Sequence, residues 1–106
     1  MTYHPSMTKL EQLLLAIKDE NLSKEKLDSY FSDLSLLRSD VRINLAKLQK
    51  EKAMFMLTEP ELSIAQRKVN WQGRPEGQRE IELKAYVLSL GDALESVKTR
   101  IYSLLS

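Results

Sequence analysis

The chain is predicted to be all-α, an elongated helical bundle or hairpin, and three observations predict it. Only three glycines and three prolines punctuate 106 residues, so little interrupts regular structure. Apolar residues recur at three- and four-residue spacing, the period of one helix face. Two stretches, about 24–57 and 76–105, sustain that spacing in a heptad-like form.

The first, short helix is expected to begin at Thr8. Thr8 and Glu11 have capping-box spacing, and Leu10, Leu13, Leu14 and Ile17 then form one stripe. The polar run "KDENLSKEK" ends it, and Ser23 is the expected N-cap of the next helix. That second helix runs to about Leu57 without an internal Gly or Pro. Leu27, Tyr30/Phe31, Leu34, Leu37, Val41, Leu45 and Leu48 form its core stripe. At 1.5 Å per residue it is roughly 50 Å long, more than a compact globule of this size accommodates. Leu36, Ile43, Met54 and Leu57 fall on its other side. The first helix is expected to cover part of this second stripe and a partner subunit the rest.

"LTEPELS" interrupts the rod. Thr58 and Glu61 repeat the capping-box spacing and Pro60 suits a first turn, so an elbow helix is expected from Glu59 to about Gln72. Its inward face is expected to carry Leu62, Ala65 and Val69, with Gly73 as its C′ residue and Pro75 preventing continuation. The last helix, about Glu76 to Leu105, has the cleanest periodicity: Leu83, Val87, Leu90, Leu94, Val97, Ile101 and Leu104. Two long helices joined by a helical elbow make one antiparallel domain spanning residues 1–106.

Composition narrows the function classes. Charged residues make up 29% and hydrophobic ones 42%, which is neither a disordered tail nor a membrane protein. The longest apolar run, "LLLAI", is too short to span a bilayer, and "MTYHPSM" lacks the pattern of a signal peptide. With no cysteine there is no disulfide framework or thiolate metal site, and the expected compartment is the cytoplasm. No catalytic constellation is legible. His4 is the single histidine and is expected to be inert, since a metal site needs several converging ligands. Ser29, Ser32, Ser35 and Ser39 form a polar helix face with no histidine base nearby in sequence. Glu59 and Glu61 suit the positive end of a helix dipole. No Gly-rich phosphate loop precedes a lysine. Neither enzyme activity nor a cofactor or metal is expected.

The near-neutral total hides segregation. Residues 8–40 carry five Lys/Arg against seven Asp/Glu, residues 41–58 four against one, and residues 64–80 four against two. If the elbow helix folds back along the second helix, Lys47, Lys50 and Lys52 approach Arg67, Lys68, Arg74 and Arg79. Cations that track phosphates beside an aromatic that stacks a base are the recipe for single-strand binding. Trp71, the sole tryptophan, would supply about 1–3 kcal/mol of stacking if exposed. Each neutralised phosphate would add about 0.7 to the salt slope. A plain alternative stands beside this: Trp71 plugs the end of the bundle, and Arg74 and Arg79 pair with Glu76, Glu80 or Glu82.

Arg67, Lys68, Trp71, Gly73 and Arg74, followed by "LESVKTRIYSLL" with Lys98 and Arg100, resemble the UvsY-type recombination mediators of tailed phages. There a basic helix end carries an aromatic, a glycine and a further basic residue before a long amphipathic C-terminal helix. The likeness covers roughly residues 64–105. It implies a small helical protein that forms homo-oligomers and binds single-stranded DNA. It also implies help in loading a RecA-like recombinase over single-strand-binding protein, in the host cytoplasm if phage-encoded.

Two functions are therefore carried forward. One is a single-stranded nucleic-acid-binding accessory protein, contacting its ligand through Arg67, Lys68, Trp71, Arg74 and Arg79, extended by Lys47, Lys50 and Lys52. The other is a helical protein–protein interaction or assembly module (an assembly factor, chaperone or inhibitor) that acts through Leu36, Ile43, Met54 and Leu57. No membrane role is expected, because the cations do not oppose one strongly apolar face.

Overall fold

A computed structural model describes the backbone of residues 5–105 and the side chains of residues 9–105. His4 lies outside the described residues. Four helices make up the fold: α1 (Pro5–Ala16), α2 (Lys24–Phe55), α3 (Ile64–Gln72) and α4 (Pro75–Leu105). The long helices α2 and α4 pack on one another antiparallel, Lys52 meeting Glu80 at one end while Leu27 and Leu104 share a cavity at the other. The principal extents are 60 × 29 × 17 Å, so the molecule is the expected rod.

The heptad stripes become the core. Leu27, Leu34, Leu37, Val41 and Leu48 of α2 are buried against Leu83, Leu90, Leu94 and Val97 of α4, with Tyr30, Phe31, Leu45, Val87 and Ile101 partly buried around them. Each leucine withdrawn from water contributes about 2 kcal/mol. Leu104 departs from the expected stripe. It lies at the far end of α4, on the rim of a cavity with Leu22 and Leu27, and is more than half exposed.

α1 runs antiparallel to α2 and lies in the seam between the long helices, contacting both. Leu10 and Leu13 are buried there. On α4, Tyr86 and Arg100, two heptads apart, lie beside α1. Burial, followed by the nearby charges of Glu11 and Glu82, pushes the Tyr86 phenol above its ordinary pKa. Arg100 donates from its guanidinium to the carbonyls of Ile17 and Asp19, closing the C-terminal end of α1, where carbonyls lack intrahelical donors. The described helix already includes Pro5, so Thr8 lies within it and is not the N-cap expected there.

Ser23 caps α2 as expected, its hydroxyl accepting from the Lys26 N–H at 3.2 Å. α2 ends at Phe55, short of Leu57, and the elbow is built differently from the capping box at Thr58. Thr58 Oγ1 turns back to donate to the Phe55 carbonyl at 2.6 Å. Glu59 takes a positive φ of 52°, outside the right-handed helical geometry that the following Pro60 disfavours. α3 therefore starts only at Ile64, with Ser63 as N-cap accepting from the Gln66 N–H at 3.1 Å. Ser63→Ala should lower stability by about 1 kcal/mol, measured as a shift in the denaturation midpoint.

Candidate interaction surfaces

The elbow end is shaped by two small residues and a proline. Gly73 closes α3 in right-handed geometry, φ −76° and ψ −10°, so the left-handed C′ role expected of it is not needed. Pro75 then opens α4 at once, its fixed φ suited to a first helical turn. This abrupt reversal drives the end of α3 onto the first turn of α4, and Gly77 receives it. A Cβ at Gly77 would lie 2.0 Å from the Trp71 carbonyl oxygen and 2.7 Å from its carbonyl carbon. Only a residue without a side chain fits there.

That contact carries Trp71 inward. The indole is 2% exposed and packs beside the Phe55 ring, centroids 5.5 Å apart. Its Nε1–H donates to Glu80 Oε1 at 3.1 Å. Glu80 is itself 4% exposed, and its charge is met by Lys52 at 3.5 Å and Lys84 at 3.8 Å. An unpaired buried carboxylate is strongly unfavourable, so two ammonium groups and an indole N–H account for its position. Trp71 is thus the plug of the bundle end, not an exposed stacking platform. The expected inward face of α3 is corrected with it: Ala65 and Val69 are exposed, and Leu62 precedes the helix.

The cations expected to form one surface are divided. Lys52 turns to Glu80. Arg67 is half-buried and donates to the Met56 carbonyl, tying α3 to the turn, while its Nε is buried with no partner among the described residues. Arg74 covers the Phe55 ring at 5.0 Å and pairs with Glu76 at 3.3 Å. The Glu76 carboxyl lies below its usual pKa through its own backbone N–H first, slight burial opposing, and then through Arg74 and Arg79. Lys68 and Arg79 are exposed at this end. Lys47 and Lys50 are exposed too, but on the side of α2 turned away from α4. α3 packs mainly on α4 instead of folding back along α2, so the two basic blocks do not merge.

The second expected surface is open. Leu36, Ile43 and Met54 follow one another on the face of α2 opposite Leu34, Leu37, Val41 and Leu48, and are 66%, 56% and 66% exposed. Leu57, 79% exposed, continues the line into the turn beyond the helix. α1 leaves this face bare because it fills the α2–α4 seam instead. At its elbow end the stripe meets a cleft of about 380 Å³, where Met54 joins Phe55, Trp71, Thr58 and Arg74, with Glu51 and Glu76 at the rim.

Sequence reasoning did not single out Phe55, and it did not find the roles of Gly77 as the close-contact site, Glu80 as a buried carboxylate under Trp71, or Arg100 as a helix-end clamp. Gly77 had one available signal, a glycine inside the first turn of a helix, where it lowers helix stability unless something else requires it. Among the described residues, no group of His, Asp or Glu side chains is placed to hold a metal ion, and no helix is long and apolar enough to cross a membrane. No family model, curated protein or solved structure matches the chain.

Proposed function

We propose that this chain is a helical assembly module that acts by offering the outer face of α2 to a protein partner. One observation carries the reading: Leu36 and Ile43, one heptad apart, and Met54, beyond Lys47 and Lys50, share one helix face and are each more than half exposed. Isolated apolar residues on a surface are ordinary, but an aligned series on one helix is the pattern that docks against another helix. A photo-crosslinking residue at position 43 should give one discrete adduct in cells expressing the chain, lost when Leu36→Glu is added. The same group at position 95, on the exposed side of α4, should give none. Absence of any adduct at position 43 overturns the reading.

A second reading, a single-stranded nucleic-acid-binding accessory protein of the recombinase-loading kind, is favoured by the charge at the elbow half. Residues 41–84 hold nine Lys/Arg against six Asp/Glu, and the rest of the chain seven against nine. Lys68 and Arg79 lie exposed in that half, with Arg74 beside them. On this reading the protein tracks phosphates without stacking, so affinity is modest and strongly salt-dependent. Fluorescence anisotropy at about 50 mM salt should then detect binding that falls when Lys68→Glu and Arg79→Glu are combined. Trp71 emission should stay unchanged on titration. Strong quenching of that emission would restore the stacking role, and no binding at all would remove nucleic acid from consideration.

A further inference from the structure

We propose that the partner on the outer face of α2 is a second copy of this chain, docked antiparallel about a two-fold axis near residue 40. This deepens the assembly reading and rests on it. The face is polarised along its length. Lys24, Glu25, Lys26, Asp28 and Asp33 sum to −1 on the N-terminal side of Leu36, and Lys47, Lys50 and Glu51 to +1 on the C-terminal side of Ile43. A face that is acidic at one end and basic at the other complements itself only when the second copy runs the opposite way. Flanking charges of this kind set partner orientation in helix pairs.

The register follows from the apolar residues. Laying Leu36 on Ile43 of the second copy also lays Ile43 on its Leu36, since a two-fold contact uses the same patch twice. Under that offset Asp33 falls within one residue of Lys47, and Asp28 within one residue of Lys50, of the other copy, and the symmetry repeats each pair. A parallel arrangement would instead set Asp33 against Asp33 and Lys47 against Lys47. Asp28 is already paired with Lys24 at 3.2 Å, but both side chains are about half exposed and that pair is free to rearrange. Asp40, exposed and close to the axis, faces its own copy. This contact is repulsive, and the register also sets exposed Glu51 level with Asp28 of the other copy. α1, seated in the α2–α4 seam, leaves the approach clear.

Sedimentation equilibrium of the full chain tests the proposal. The expected mass is twice the 12.2 kDa of one copy. Asp33→Lys or Lys47→Glu alone should weaken self-association about tenfold, each placing two like-charge contacts across the axis. Both changes in one chain should restore it, and Asp40→Asn should tighten it. Circular dichroism checks that the variants keep their helices, none of the three side chains being fully buried. A single-copy mass at every concentration overturns the proposal, as does a charge-swapped chain no better than the single variants. Insensitivity of the dimer to Ile43→Glu also overturns it, because the contact would then lie elsewhere. If the chain sediments as a monomer while position 43 still forms its adduct with another protein, the self-association fails and the assembly reading stands.

Discussion

Replacing Gly77 with alanine should lower the stability of this protein by about 2–4 kcal/mol, a large effect for one methyl group. Its Cβ would be forced to within 2.0 Å of the Trp71 carbonyl oxygen, and both groups belong to helical backbones that cannot swing aside. The expected outcome is release of α3 from α4. Chemical denaturation should show a lower midpoint, and the indole emission should shift to the red before the long helices melt. Gly91 supplies the control. A Cβ there meets nothing within 4 Å, so Gly91→Ala should raise stability by about 0.5–1 kcal/mol through helix propensity alone. Opposite signs at two glycines of one helix are expected. The same sign at both would show that the close approach of α3 and α4 does not occur in solution.

The second large effect is expected at Trp71. Trp71→Ala should destabilise by about 3–5 kcal/mol, since it removes the ring that fills the bundle end and leaves Glu80 without its indole donor. Trp71→Phe should cost only about 1–3 kcal/mol, because an aromatic ring remains beside Phe55 while the hydrogen bond is lost. Lys52 and Lys84 continue to meet the Glu80 charge in both variants. Thermal denaturation of the pair, with exposed Val69→Ala as the reference, separates the plug from a surface role. An exposed indole would make all three variants equally mild.

The division of the cations bears on function more than their number does. Arg67, Arg74 and Lys52 have partners inside the fold, whereas Lys47, Lys50, Lys68 and Arg79 remain at the surface in two separate places. A ligand that required the whole basic set at once would have to pull Lys52 from a buried carboxylate. The outer face of α2 asks for no such rearrangement, which favours an assembly role.

The helices themselves were legible from the amino-acid order. A stripe at Leu27, Leu34, Leu37, Val41 and Leu48 has one low-energy solution, a helix burying that stripe, and Leu83, Leu90, Leu94 and Val97 offer its complement. The N-cap at Ser23 and the placing of Leu36, Ile43 and Met54 opposite the core stripe followed from spacing, because local backbone bonding and helix period depend only on near neighbours; that α1 leaves this face bare, instead of covering part of it as expected, did not. What Trp71, Arg67, Lys52 and Arg100 do was decided by tertiary contact. Each can serve solvent, ligand or core, and the choice turned on where α3 landed and where α1 ended. The elbow shows the limit most plainly. Thr58–Glu61 has as good a capping pattern as Ser63–Gln66, yet the chain used the later one. Pro60 disfavours right-handed helical geometry at Glu59, and the backbone contact at Gly77 fixed the far end of α3. Both are steric constraints between particular atoms, and a hydrophobic period carries no information about either.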